Sequence, residues 1–420
     1  MIRKVAMAML ATLLSAGAIA GAPSQADIVA VEQFLDKDSS YSPAAKAEAR
    51  QLASQLERHL GDQPRFELEV ARIVALADNG HTALFPPQWT LRYPRSPVRV
   101  GLFADGLFVI AAPAEYAAAL GKPVATINGQ PWQQVRRAFS AFQGGAEELK
   151  DQFFPIFAES PALLTAAGLG SDASKLELTL LDGQALSVTP TMAPLKDTLA
   201  GNPMPRDAID LVKGPLPLYL RNADDLYFFA DLPEYDAAYI RLDGIYGKGL
   251  ETFLRESLGR LRAGKQRNII LDLRFNMGGD LNRARDFAKF LPGLAKGGRV
   301  YVITSGRTFS AAISTSGYAK QANPTKVRIV GEPVGDRLEF WAEGSMIELP
   351  GLGAMILHAT ERHNYRTGCQ EADCHGSIRK NPIRVESLQP DLPSPLRFED
   401  YVAGRDVSME AIAKDIGSSR

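Results

Sequence analysis

Asn268-Ile269-Ile270-Leu271-Asp272-Leu273-Arg274-Phe275-Asn276-Met277-Gly278-Gly279 decides the reading of this chain. From Ile269 to Leu273 it is a nearly unbroken apolar run of strand length, and a run without alternation predicts a strand covered on both faces. Two glycines follow, which lets the chain turn sharply and bring backbone N–H groups close to a neighbour.

Working outward, apolar strand patterns and amphipathic helix patterns alternate: strand 238–242, helix 250–261, strand 268–273, helix 281–290, strand 299–304, helix 310–320, strand 326–330. Alternation of this kind predicts parallel pairing with helical crossovers covering the sheet, an α/β domain, because each crossover must return the chain to the same end. Such sheets place their sites in the loops beyond the strand C-termini. Two loops qualify: Arg274 to Gly279, and Ser305-Gly306-Arg307-Thr308-Phe309-Ser310. The second delivers Ser310 onto the first turn of a helix, where unsatisfied N–H groups and the positive end of the helix dipole would stabilise a developing oxyanion. A serine there also serves as an ordinary N-cap. Ser314, one turn further on, would share its face without the helix-end field, and Ser305, Thr308 and Ser316 are further hydroxyls in the neighbourhood.

Upstream, 27–95 reads as a helical region. Leu52, Leu56 and Leu60 recur at helical spacing, Pro64 interrupts, and Phe66, Val70, Ile73 and Val74 resume the pattern down to Asp78-Asn79-Gly80, a helix stop. His81 follows directly. From 96 to 200 the chain turns to short β runs, 98–103 and 106–110, then 176–181 and 185–188 split by Asp182-Gly183. Between them Gly121 to Gly129 ends in an Asn128-Gly129 turn and resembles the close of a PDZ domain, so a small PDZ-like module is expected, with a plain hairpin as the alternative. A Gly- and Pro-rich linker over 201–215 opens the last domain, 201–420.

The first residues carry an address label. Arg3 and Lys4 precede an apolar run from Val5 to Ala20, and Ser24-Gln25-Ala26 offers small side chains, a secretory signal pattern over 1–26 with cleavage expected before Asp27. The run is shorter than the ~20 residues that cross a bilayer. A periplasmic or secreted protein is expected, with no stable transmembrane segment after signal removal. Lys plus Arg total 47 against 48 Asp plus Glu, a balance that argues against a nucleic-acid surface. Cys369 and Cys374, the two cysteines, suit a local disulfide in an oxidising compartment. His363 and His375 flank them, but the spacing fits no common zinc pattern, so neither a metal nor a cofactor is expected.

Leu271 to Gly279, Thr308-Phe309-Ser310-Ala311-Ala312 and Val330-Gly331-Glu332-Pro333, in this order, resemble the catalytic domain of the C-terminal-processing (tail-specific) serine peptidases, which include the tricorn core. The resemblance covers about 238–333 and implies a crotonase-like (ClpP/crotonase) catalytic domain acting on polypeptides. It implies Ser310 as nucleophile and an oxyanion hole from the N–H groups of Ala311 and Gly278, with Gly279 as the alternative glycine. The Ser–Lys branch keeps its lysine where this chain has Asp336, and the adjacent Arg337 stays protonated at any working pH. The tricorn-like branch uses a distant histidine, and Asp78-Asn79-Gly80-His81-Thr82 resembles its Asp-Gly-His-Thr segment, with Asn79 as an extra residue. This implies His81 as general base, an imidazole being neutral and able to accept a proton near pH 7. A glutamate then orients the histidine. Glu361, Glu371 and Glu386 are candidates, and Glu371 is chosen on its spacing from Ser310.

An acyl-enzyme endopeptidase with a Ser-His-(Glu) arrangement, free to form a homo-oligomer, is therefore expected. The rival is an inactive peptide-binding scaffold that kept the fold. An esterase is disfavoured, because no Gly-x-Ser-x-Gly elbow surrounds Ser310.

Overall fold

In the computed structural model, residues 21–192, 205–222 and 224–418 are described. Most of the expected signal segment and part of the 201–215 linker lie outside them. The chain divides into two compact units: Val212–Glu339 with Arg362–Arg420, and the described part of Ala11–Leu211 with Phe340–Glu361.

The later unit is built on a six-stranded sheet. Its strands are β1 (Tyr227–Leu232), β2 (Ala237–Leu242), β3 (Asn268–Asp272), β4 (Val300–Thr304), β5 (Val327–Gly331) and β6 (Leu392–Pro393), in spatial order β6-β5-β4-β3-β2-β1. β1 and β2 form an antiparallel hairpin, and every other pair is parallel, with Ile269 opposite both Ala238 and Val300. Helices α1 (Leu250–Ala263), α2 (Leu281–Leu294) and α3 (Ala311–Ala322) are the crossovers, and α4 (Val407–Ser418) closes the chain. All five residues of β3 are buried. Its Ile and Leu side chains each contribute roughly 1.5–3 kcal/mol relative to exposure, which fixes this strand at the centre. One face of the sheet, from Tyr239, Ile270, Tyr301, Ile303 and Val330, packs on Met409 and Ile412 of α4. The sequence pattern locates each of these parallel elements to within a few residues. The short pairing of Leu392–Pro393 beside Val330 and Gly331 was beyond it.

In the earlier unit, helices Gln25–Lys37, Pro43–Ala53 and Gln63–Ala75 come first. Pro64 starts the third helix rather than ending one: it stands in the first turn, where a missing N–H costs nothing, and the Asp62 carboxylate accepts from Arg65 N (3.1 Å). A four-stranded antiparallel sheet follows, ordered Gln130–Pro131, Val124–Ile127, Leu176–Leu180, Ala185–Val188. Asn128 and Gly129 turn it with φ of 48° and 74°. Among the described residues no helix is long and apolar enough to cross a membrane.

The start of the first helix is tied down. Ser24 N and Oγ donate to Asp27 Oδ2 (2.7 and 3.0 Å), while the buried Asp27 takes Gly351 N (2.9 Å) and Leu352 N (3.3 Å) on Oδ1. A chain trimmed to begin at Asp27 loses this cap and sets a new ammonium beside a buried carboxylate. It should be about 1–2 kcal/mol less stable than one beginning at Gly21, which paired urea melts will read.

Candidate functional site

The two loops named by the sequence meet beyond the C-terminal ends of β3 and β4. Leu273, Arg274 and Asn276 offer their carbonyls to the second loop: Thr308 Oγ1 donates to Leu273 (2.9 Å), Ser305 Oγ to Arg274 (2.5 Å) and Phe309 N to Asn276 (3.0 Å). Asn276, wholly buried, spends its amide on the backbone: Nδ2 donates to Leu242 O (2.9 Å), and Oδ1 accepts from Gly278 N (2.9 Å). Gly278 O in turn accepts from Ile245 N (2.8 Å). Because the peptide is trans, the Gly279 N–H points away from Ile245.

Neither glycine tolerates a side chain. Gly278 has φ +108°, and a Cβ there would stand 2.7 Å from Ser310 Cβ and 3.1 Å from Ala311 N. Gly279 has φ +138°, and its Cβ would stand 2.2 Å from Ile245 O. The loop therefore presents bare backbone to the serine. Ser310 itself has φ 53° and ψ −123°, and the Ala312 N–H donates to Phe309 O (3.0 Å). That is the first corner of a type II′ turn, a position glycine normally fills, and a serine there stores roughly 1–3 kcal/mol of strain. The hydroxyl is half-buried at the head of α3.

The rival hydroxyls are engaged. Besides Ser305 and Thr308, Ser316 Oγ donates to Ala312 O (2.9 Å), and Ser314 Oγ is 2.6 Å from Tyr365 Oη. Tyr365 continues to His363 Nδ1 (3.1 Å), whose ring lies nearly parallel to that of His375, with centroids 5.2 Å apart.

Beneath the loops lies a buried charge network that the sequence did not announce. The Arg274 guanidinium bonds Asp272 (2.9 Å) and, through both terminal nitrogens, Asp406 (3.2 and 3.0 Å), and it lies over the Tyr219 ring at 4.3 Å. Burial alone would lower its pKa, but the carboxylates of Asp272 and Asp406 outweigh this and hold it well above its ordinary value. Burial, then the Asp272 charge, pushes the Tyr239 phenol well up, so it stays a hydrogen-bond donor to Asp272 (2.7 Å).

Ser310, Ala311 and Gly278 are thus brought together in one unit. Glu371 lies in the same unit, but its side chain is 57% exposed and faces Arg362 (3.4 Å). Glu386 is exposed as well. Cys369 and Cys374 form a disulfide, so their sulfurs offer no thiolate to a metal. Asp336, at the position the Ser–Lys branch gives to lysine, is buried and accepts from Arg337 N (2.8 Å).

His81 belongs to the other unit, as does Glu361. It follows Asp78, which has φ 47°, and its half-buried ring lies against that of Phe340, centroids 5.1 Å apart and planes 10° from parallel. Asn79 is buried and exchanges two hydrogen bonds with Trp341: Asn79 Nδ2 to Trp341 O and Trp341 N to Asn79 Oδ1, each 3.0 Å.

Comparison with solved structures finds a CPAF chain carrying a serine-to-alanine substitution, with 13% identity, 99% of this chain and 97% of that chain covered, and a TM-score of 0.51. Mature CPAF complexed with lactacystin is similar at 13% identity, covering 100% of this chain and 98% of that one, TM-score 0.49. The photosystem II D1 C-terminal processing protease is similar at 13%, covering 94% and 98%, TM-score 0.39. At this identity the likeness is one of fold, and of these three the first carries it. No protein-family model and no curated protein matches the sequence.

Two outcomes follow from the geometry. Ser310→Gly, which removes the strained side chain, should stabilise the fold by about 1 kcal/mol in urea melts, whereas Ser310→Ala should not. Asp406→Ala, which takes one carboxylate from a buried guanidinium, should cost about 3 kcal/mol in the same melts.

Proposed function

We propose that this protein is an exported serine peptidase. Ser310 Oγ attacks the scissile carbonyl carbon while His81 takes its proton. The tetrahedral intermediate collapses with the C–N bond breaking, and the imidazolium returns the proton to the departing amine. Water then attacks the ester by the same route and frees the serine.

The observation that carries the reading is the strained turn of Ser310 at the head of α3, set against a glycine with no room for Cβ. Strain of this kind gathers where geometry serves a reaction, and here it lifts one hydroxyl out of the hydrogen-bonded surroundings that engage its neighbours. Ala311 N–H supplies one oxyanion donor. The paired glycines supply the other: Gly278 N–H after exchanging Asn276 Oδ1 for the oxyanion, or Gly279 N–H, directed away from Ile245. Glu371 is the carboxylate proposed to orient His81. Its tie to Arg362 is long, at 3.4 Å, and the carboxylate itself is 57% exposed, so the pair is worth about 1 kcal/mol and recruiting Glu371 costs little.

The substrate proposed is a polypeptide, and no nucleic acid or cofactor enters the scheme. Export rests on the N-terminal signal pattern. The cut is proposed before Asp27, after the small residues of Ser24-Gln25-Ala26. The second reading, an inactive peptide-binding scaffold, draws on the outward-facing Glu371 and on Asp336 at the lysine position.

A fluorophosphonate probe separates the two. The full chain should label at Ser310, identified by peptide mapping. Ser310→Ala should abolish labelling and peptide hydrolysis with the fold intact, and His81→Ala should slow both by about 1,000-fold or more. An unlabelled, folded wild-type chain would favour the scaffold.

A further inference from the structure

We infer that Asn79 and Phe340 are positioning residues for His81, Asn79 fixing the backbone that carries the imidazole and Phe340 fixing the plane of its ring. The inference rests on the reading of His81 as the general base.

An imidazole on a turn has two free torsions, and a base that is to accept a proton along one direction must lose both. The turn itself is restrained from three sides within its own unit. Asn79 exchanges its amide with the backbone of Trp341, a two-way pair that imitates one rung of a β-ladder. Its Nδ2 also donates to Thr82 Oγ1 (3.0 Å), whose hydroxyl donates to Asp38 Oδ2 (2.9 Å), and that oxygen also takes Ala359 N (2.7 Å). Asp38 is buried, so this chain of bonds anchors the residue after His81 as firmly as Trp341 anchors the residue two before it. On the remaining side, a Cβ at Gly145 would stand 2.8 Å from Gly80 Cα, and one at Gly144 would stand 3.1 Å from Asn79 N. The turn therefore rests on bare backbone there too.

The ring is governed separately. Phe340 is buried, and its nearly parallel face leaves the imidazole one plane in which to lie. A phenyl face also favours a cation over it, and the imidazolium formed during attack is such a cation. Asn79, inserted into a segment that resembles Asp-Gly-His-Thr, is on this account the device that couples the histidine turn to the segment 340–342. An asparagine with room for both bonds is needed, since alanine makes neither and aspartate lacks the donor.

The test compares Phe340→Leu with Phe340→Tyr, and adds Asn79→Ala, in the full chain. If Phe340 only fills space, leucine and tyrosine should serve about equally. If it orients the ring, Phe340→Leu should lower kcat and the fluorophosphonate labelling rate by about 10- to 100-fold with KM nearly unchanged, Phe340→Tyr should restore both, and Asn79→Ala should behave like Phe340→Leu. Urea midpoints confirm that each variant is folded at assay. Wild-type labelling by folded Phe340→Leu and Asn79→Ala, or a loss confined to KM, overturns the positioning role while His81→Ala remains inactive. Wild-type labelling by His81→Ala overturns the base assignment itself, and the positioning role with it.

Discussion

The later unit depends on the absence of one methyl group. Gly278 lies so close to Ser310 that any Cβ would collide with the serine's own, and this closeness sets the arrangement of the two loops around it. Three side-chain and backbone bonds lace the loops together above β3 and β4, and Asn276 holds the glycine peptide from below. The strain at Ser310 persists because its surroundings over-determine it. A loop with fewer ties would relax the turn and let the hydroxyl find an ordinary capping bond.

Much of this unit was legible in the sequence. An apolar run interrupted by a single Asp, such as Ile269 to Leu273, has few places to go except a buried parallel strand, and the strand and helix periods that flank it locate the crossovers closely. Ser310 and the glycine pair stood out for the same reason, since local chemistry at the end of such a strand is read over short distances. What could not be read was whatever depends on residues far apart in the chain. Asp406 gives no local sign that it pairs with Arg274, and nothing in Phe340 or Trp341 says that they face residues near position 80. The segment Phe340–Glu361, which joins the earlier unit after the chain has entered the later one, was invisible for this reason.

Glu371, the carboxylate proposed to orient His81, shows what reading by spacing takes in and what it leaves out. Glu371 was chosen on its distance from Ser310, yet its surroundings are set by the short disulfide loop and by Arg362, which gathers Glu339, Glu371 and Asp373 about one guanidinium. Spacing counts residues, whereas the direction of an exposed carboxylate follows the nearest available cation. Burial narrows the alternatives without naming the partner: Asp272 meets Arg274 two residues on, where the strand ends, but the second carboxylate on that guanidinium comes from Asp406.

The pairing of Arg274 with Asp406 bridges a sequence separation of 132 residues and ends just before the final helix. The support beneath the glycine loop is therefore completed by a residue far along the chain from the loop itself. A nascent polypeptide emerging from the ribosome carries its serine long before the buttress that steadies the surrounding turn. The turn around Ser310 is therefore steadied only after the chain has been made as far as Asp406, so the loop and its support cannot fold as one local piece.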